Sequence, residues 1–299
     1  MKINDRLKAT MRIFAGAVFL VSAILKLISI DSFEIYLYGF GIIKLEYAFA
    51  LARLIISLEL LTGIVLITGI YVRMAVSIAI AMLLVFSAFI LILIFTRNDE
   101  NCHCFGEIEM SHTLSLLKNI LLAALLAISC QSQSSKFRYN RLILMVTAAI
   151  SLLLPLIVSP PDSFFYARNS KNITYDEFML DEFLKENDQF TKGRKMLCFF
   201  STGCRFCKLA ARKISVIAKK ADDDEVVNYV FAGAEVSVDK FFKETNSTVF
   251  QYSFLPPNRF LKITNGVMPL IILLQDGKVK GKYGYRDIRE DELIRFLKE

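Results

Sequence analysis

Five stretches, about 13–30, 47–70, 74–96, 112–130 and 142–158, are long and apolar enough to cross a lipid bilayer, and all lie in the first 160 of 299 residues. A spanning helix needs about 20 mainly apolar residues, because every backbone polar group in lipid must be paired inside the segment itself. The fifth stretch is the shortest and contains Pro155. Up to residue 160 there are 13 basic and 9 acidic residues, and beyond it 23 basic and 20 acidic. The chain is therefore a membrane half carrying +4 joined to a soluble half carrying +3. An apolar share of 55% excludes disordered and collagen-like chains. The basic residues of the soluble half alternate with acidic ones and form no patch with interleaved aromatics, which argues against nucleic acid as a partner.

The first stretch follows Lys2, Arg6, Lys8 and Arg12, as a secretory signal would, but it contains Lys26, lacks a small-residue cleavage site and is followed by further spans. It reads as a retained helix. Lys and Arg are kept on the cytoplasmic side, so a cytoplasmic N-terminus places Lys2, Arg6, Lys8, Arg12, Arg73, Lys136, Arg138 and Arg141 inside. The outer loops then hold only Lys44 and Arg97, beside Asp31, Glu34, Glu46, Asp99, Glu100, Glu107 and Glu109. Five crossings of a bacterial inner membrane would deliver the C-terminal domain to the periplasmic side, together with the loop containing Cys102 and Cys104. Lys26, Arg53 and Glu59 lie inside apolar stretches, where an unpaired charge is costly. Arg53 and Glu59 are six apart, too far for an i,i+4 pair, so interhelical partners are expected, for example Lys26 with Glu59. Such a pair either fixes helix register or serves a ligand or proton.

After Ser159-Pro160-Pro161 the apolar runs shorten, marking a linker into a domain of about 125 residues. Lys195-Met196-Leu197-Cys198-Phe199-Phe200 reads as a buried strand. Ser201-Thr202-Gly203-Cys204-Arg205-Phe206-Cys207-Lys208 follows and leads into a helix over 209–220. A cysteine at a helix N-terminus feels the positive end of the helix dipole and the free N–H groups, which favour thiolate. Cys204 is the candidate nucleophile and Cys207, one turn further in, the resolving thiol. Zinc is the alternative for a C-x-x-C, but this half holds no second pair and no histidine, so redox chemistry is favoured. Met268-Pro269 precedes an apolar strand over 270–274, Gln275-Asp276-Gly277-Lys278 turns into a strand over 279–285, and a helix closes the chain at 290–298.

Strand, C-x-x-C helix, Pro-led strand, hairpin and terminal helix together resemble the thioredoxin superfamily over about 175–299. The resemblance implies a cis Pro269 beside the cysteines, with the Met268 backbone binding extended substrate chain. The sequence departs from common thioredoxins in having Gly203 rather than Trp before the first cysteine, Arg-Phe between the cysteines, and Cys198 where a buried Asp is usual. Cys198, and Cys130 at the end of a span, read as packing residues.

Asn101-Cys102-His103-Cys104-Phe105-Gly106-Glu107 lies between the third and fourth spans. A disulfide between cysteines one residue apart closes a small strained ring and opens easily, so the pair reads as redox-active. A structural bridge, or a metal site drawing on Cys102, His103, Cys104 and His112, are the alternatives; adjacent ligands fit tetrahedral geometry poorly. With Arg12, Gly16, Lys26, Arg53, Glu59, Gly63, Gly69 and Arg73, this loop resembles the DoxX-like membrane family, in its methylamine-utilisation MauE branch, over about 10–130. The implied architecture is an α-helical transmembrane bundle of four DoxX/MauE-like helices over 1–132, a fifth span and linker over 133–174, and an α/β thioredoxin-like domain over 175–299. The implied activity is thiol-disulfide exchange with exported protein thiols, passing electrons between Cys204-Cys207 and Cys102-Cys104. A membrane quinone is expected as acceptor, with no covalently bound cofactor and no metal. A membrane-anchored maturation factor that binds clients, and a reducing relay, are the other readings. The sequence names no quinone-site residue.

Overall fold

The computed structural model describes residues 4–96, 101–105, 108–130, 139–160, 162, 173–233 and 237–299, and for residues 93, 96, 101–105 and 108–110 it describes the backbone alone. Lys2, Arg97, Asp99, Glu100, Glu107, Lys136 and Arg138 lie outside the described residues, as do the side chains of Cys102, His103, Cys104 and Glu109. The chain forms two compact units, Met1–Tyr36 with Phe49–Pro160, and Leu37–Ala48 with Pro161–Glu299.

In the first unit five helices have the length and apolarity to cross a membrane: α1 (Asp5–Ile28), α3 (Leu45–Thr68), α4 (Val72–Thr96), α5 (His112–Ser129) and α6 (Asn140–Val158). A short α2 (Ile30–Tyr38) follows α1, and a hairpin of β1 (Asn101–Phe105) and β2 (Ile108–Ser111) leads into α5. Helix α1 starts well before its apolar stretch because Asn4 caps it, accepting a hydrogen bond from the Arg6 N–H at 3.2 Å.

Two kinds of contact hold this unit together. Backbones approach closely where α1 crosses α3: a Cβ on Gly16 would lie 2.9 Å from the Gly63 carbonyl oxygen, and one on Gly63 would lie 2.8 Å from Leu20. Small residues permit the dispersion contacts that drive helix association in lipid. The buried charges find partners across helices. Lys26 Nζ lies 2.7 and 2.9 Å from the two carboxylate oxygens of Glu59, the pairing expected from the spacing, and also donates to Ser22 Oγ at 2.8 Å. Arg53 joins three elements, donating to Glu34 Oε1 at 2.5 Å, to the Phe49 carbonyl at 2.8 Å, and through Nε and NH2 to the Ser159 carbonyl at 3.0 and 2.7 Å. Glu34, assigned above to an outer loop, is instead a buried residue of α2. Arg12 donates to the Leu66 carbonyl.

The second unit contains a five-stranded sheet in the order β5-β4-β3-β6-β7. Its strands are β3 (Arg194–Phe200), β4 (Val227–Ala232), β5 (Gln251–Leu255), β6 (Leu270–Gln275) and β7 (Lys278–Tyr283). The first three run parallel and the last two antiparallel to their neighbours. The helices are α7 (Glu177–Glu186), α8 (Arg205–Ala221), α9 (Val238–Thr245), α10 (Pro257–Thr264) and α11 (Glu290–Lys298). Central β3 is covered on both faces, as its unbroken apolar run requires. Leu197 and Phe199 pack with Phe183 and Leu184 of α7 and Phe260 and Ile263 of α10. Alternation turns Met196, Cys198 and Phe200 to the opposite face. The β6–β7 turn has Asp276 at φ +49 and Gly277 at φ +74, the left-handed pair that a tight hairpin needs.

Gly63→Val should force α1 and α3 apart and destabilise the bundle by about 1–3 kcal/mol. The measurement is thermal unfolding of the full chain in detergent, where the variant should melt lower than the parent while keeping its dithiol chemistry.

Candidate functional site

Strand β3 ends at Phe200, and the chain turns through Ser201–Gly203 so that Cys204 becomes the N-cap of α8. Helix α8 begins at Arg205, four residues before the stretch read as helical, so both cysteines belong to its first turn. Cys204 Sγ accepts a hydrogen bond from the Cys207 backbone N–H at 3.4 Å. A hydrogen bond from the Cys207 side chain, the Cys207 and Phe206 backbone N–H groups and the charge of Lys208 lower the Cys204 thiol to about 6, against the opposing effect of partial burial. Cys207 is fully buried, and burial pushes its thiol far above the ordinary range. Both cysteines are free thiols. One sulfur is therefore reachable and anionic at neutral pH, while its neighbour lies protonated beneath it.

Three further features fix this loop. The Met268–Pro269 peptide bond is cis. Leu270 pairs with Phe199, so continuing the register sets Pro269 opposite Phe200, at the end of β3 from which the cysteine loop departs. Phe206, between the cysteines, packs on Tyr285 at 5.1 Å between ring centroids. Tyr285 in turn covers Lys213, whose Nζ lies 3.8 Å from the ring centroid and donates to the Tyr285 carbonyl at 3.2 Å. Lys213 has no exposed surface. Its counter-charge is Asp162, at 3.6 Å, which also accepts from Arg286 at 2.7 Å. No local pattern hints at this network, because residues 162, 213 and 286 come together only in the fold. Cys198 is fully buried on the strand leading to the site, and burial pushes its thiol up, so it offers no carboxylate-like base to Cys207.

The other sequence-derived residues fall in the first unit. The backbone places Cys102 and Cys104 on β1, with Cys102 opposite Met110 of β2. Cys130 is a half-buried free thiol at the end of α5. Lys26, Arg53 and Glu59 are engaged in the buried pairs described above.

A thioredoxin-like dithiol domain carried by a bundle of apolar helices defines the class: a membrane-bound protein of the thioredoxin fold. Residues 4–132 match the family described as "Methylamine utilisation protein MauE". The chain is 25% identical over 300 residues to "Protein TlpB" of Flavobacterium psychrophilum, covering 82% of each. Among solved structures, the thioredoxin domain of a thiol-disulfide oxidoreductase from Bacteroides vulgatus is similar at 17% identity and a TM-score of 0.31, over 37% of this chain and 84% of that one. A secreted Mycobacterium tuberculosis disulfide oxidoreductase is similar at 19% identity and a TM-score of 0.29, over 35% of this chain and 80% of that one.

Alkylation of Cys204 by iodoacetamide should reach half its maximal rate near pH 6, and the Cys207→Ala variant should shift that midpoint upward. The sign for stability follows from linkage. An unfolded Cys204 stays protonated up to about pH 9, so the reduced fold gains stability as pH rises from 6 to 9 and loses that gain as pH falls through 6. Chemical denaturation of the reduced protein across this range checks it.

Proposed function

We propose that this chain is a membrane thiol-disulfide oxidoreductase that accepts electrons from exported protein thiols at Cys204-Cys207 and passes them through Cys102-Cys104 to a quinone. The observation that carries the reading is the asymmetry of the C-x-x-C pair: an accessible thiolate at the head of α8 above a buried protonated thiol, beside the cis Met268–Pro269 bond. In the oxidising direction a substrate thiolate attacks the Cys204 sulfur of the Cys204-Cys207 disulfide, and Cys207 leaves as thiolate and takes up a proton. A second substrate thiol then releases the substrate as a disulfide and leaves Cys204 and Cys207 reduced. Met268, ahead of Pro269, is the residue whose backbone would hold the substrate in extended form.

Direction is supported by the lowered Cys204 thiol. What stabilises the thiolate stabilises the reduced domain, and a stabilised reduced form makes the disulfide a stronger oxidant. The cysteine count supports a quinone acceptor over a dithiol chain through the membrane, since the membrane half has only Cys130 besides Cys102 and Cys104.

The domain is read as periplasmic, on the side opposite the N-terminus. Residues 37–48 follow the first span and pack with the domain that follows the fifth: Leu45 N–H donates to Glu290 at 2.7 Å, and Lys220 donates to the Ile43 carbonyl at 2.9 Å. Four crossings, α3 to α6, separate the two segments, and an even number returns the chain to the same face, which supports this reading.

In membranes, Cys104→Ser should leave Cys204-Cys207 trapped reduced by a thiol-labelling assay, whereas the parent re-oxidises it and does so only with quinone present. Normal re-oxidation in the variant would instead favour a membrane-anchored client-binding factor, and a pair found mostly reduced in the parent would reverse the direction.

A further inference from the structure

The interior of the membrane unit holds polar groups that its ion pairs do not use. On α5, His112, Ser115 and Asn119 follow at helical spacing on one face, and all are buried, with 8%, 0% and 4% of their surface exposed. Asn119 donates to Ser87 Oγ of α4 at 3.2 Å. Neither ring nitrogen of His112, nor the hydroxyl of Ser115, has a hydrogen-bond partner among the described residues. Burying a polar group without a partner is costly, and three such atoms within one turn of helix call for something that binds there.

The surroundings narrow what that is. Phe86, next to Ser87 on α4, has its ring centroid 5.7 Å from Lys26 Nζ, so the polar face of α5 and the Lys26–Glu59 pair lie in adjoining layers. Lys118 of α5 interacts electrostatically with both Lys26 and Glu59, giving two ammonium groups against one carboxylate. Hydrogen-bond donors, an aromatic ring and a net positive charge within apolar helices suit a flat, lipid-soluble molecule whose oxygens gain electron density on reduction. The hairpin adds proximity. Met110, opposite Cys102, is two residues from His112, so the Cα atoms of Cys102 and His112 lie within about 12 Å.

We propose that His112 and Ser115, with Lys118 and the Lys26–Glu59 pair beside them, form the quinone site of this protein; this rests on the quinone-acceptor reading above. Closing the Cys102-Cys104 disulfide releases two electrons and two protons, and reduction of a quinone to its quinol consumes both. His112 and Ser115 would donate hydrogen bonds to a quinone oxygen, and His112 would hand on the proton.

The test uses the full chain in detergent with menadione as the probe, read by the quinone-dependent rise in melting temperature. His112→Leu and Ser115→Ala should each weaken menadione binding about tenfold. Neither should melt below the parent without menadione, since each removes a group that has no partner among the described residues. His112→Gln serves as a second variant should the leucine be poorly accommodated. Unchanged menadione binding in all three variants, or a clear loss of stability without menadione, overturns the site while the quinone reading stands. If the parent neither binds menadione nor oxidises Cys102-Cys104 with it, the quinone reading fails and the site with it.

Discussion

The free N–H groups at the start of α8 surround the Cys204 sulfur, and they can do so only because β3 delivers the chain to that point rigidly. The strand is buried on both faces and paired on both edges, so the short Ser201–Gly203 turn has little freedom, and Cys204 becomes the cap of the helix rather than a member of a loose loop. The same geometry drives Cys207 inward, where burial keeps its thiol protonated. Two chemically identical side chains, three residues apart, thus acquire opposite protonation preferences from position alone. Phe206 on Tyr285, and Tyr285 on the buried Lys213, anchor the residues between and behind them.

In the membrane unit the governing constraint is the cost of charge away from water. Lys26 with Glu59, and Arg53 with Glu34 and the Ser159 carbonyl, meet it by pairing across helices, which also specifies which helices are neighbours and in what register. Arg53 does more than neutralise a carboxylate, since it also occupies a carbonyl at the end of α6 that would otherwise lack a partner. His112 and Ser115 stand apart from this pattern, because a bundle selected for packing alone would carry apolar residues in their place.

Much of this was legible along the chain. Apolar length alone marked the spans, the lack of a local partner pointed the buried charges to other helices with Lys26–Glu59 as one example, and β3, the C-x-x-C helix, the hairpin and α11 followed from local pattern and turn chemistry. Helix α2 was not legible, because a nine-residue amphipathic segment looks like a polar loop until Arg53 arrives to pair with Glu34. Nor were β5 and α9, short segments held by the aromatic cluster of Tyr229, Phe231, Phe241, Phe242 and Tyr252, or α10, whose Phe260 and Ile263 pack on Leu197 and Phe199 from remote parts of the chain. The Asp162–Lys213–Arg286 network joins residues up to 124 positions apart, a separation at which no local pattern carries information.

By itself the sequence determined a membrane bundle followed by a dithiol domain, because hydrophobic length, strand alternation and a cysteine pair ahead of a helix are properties of contiguous residues. Tertiary structure alone decided which thiol is reachable and which is shielded, which buried charges cancel, and which polar groups on α5 have no partner among the described residues. Each of these depends on burial and on distances between segments remote in the chain, and the free energy of a charge or an unpaired donor is set by that environment rather than by its neighbours in sequence.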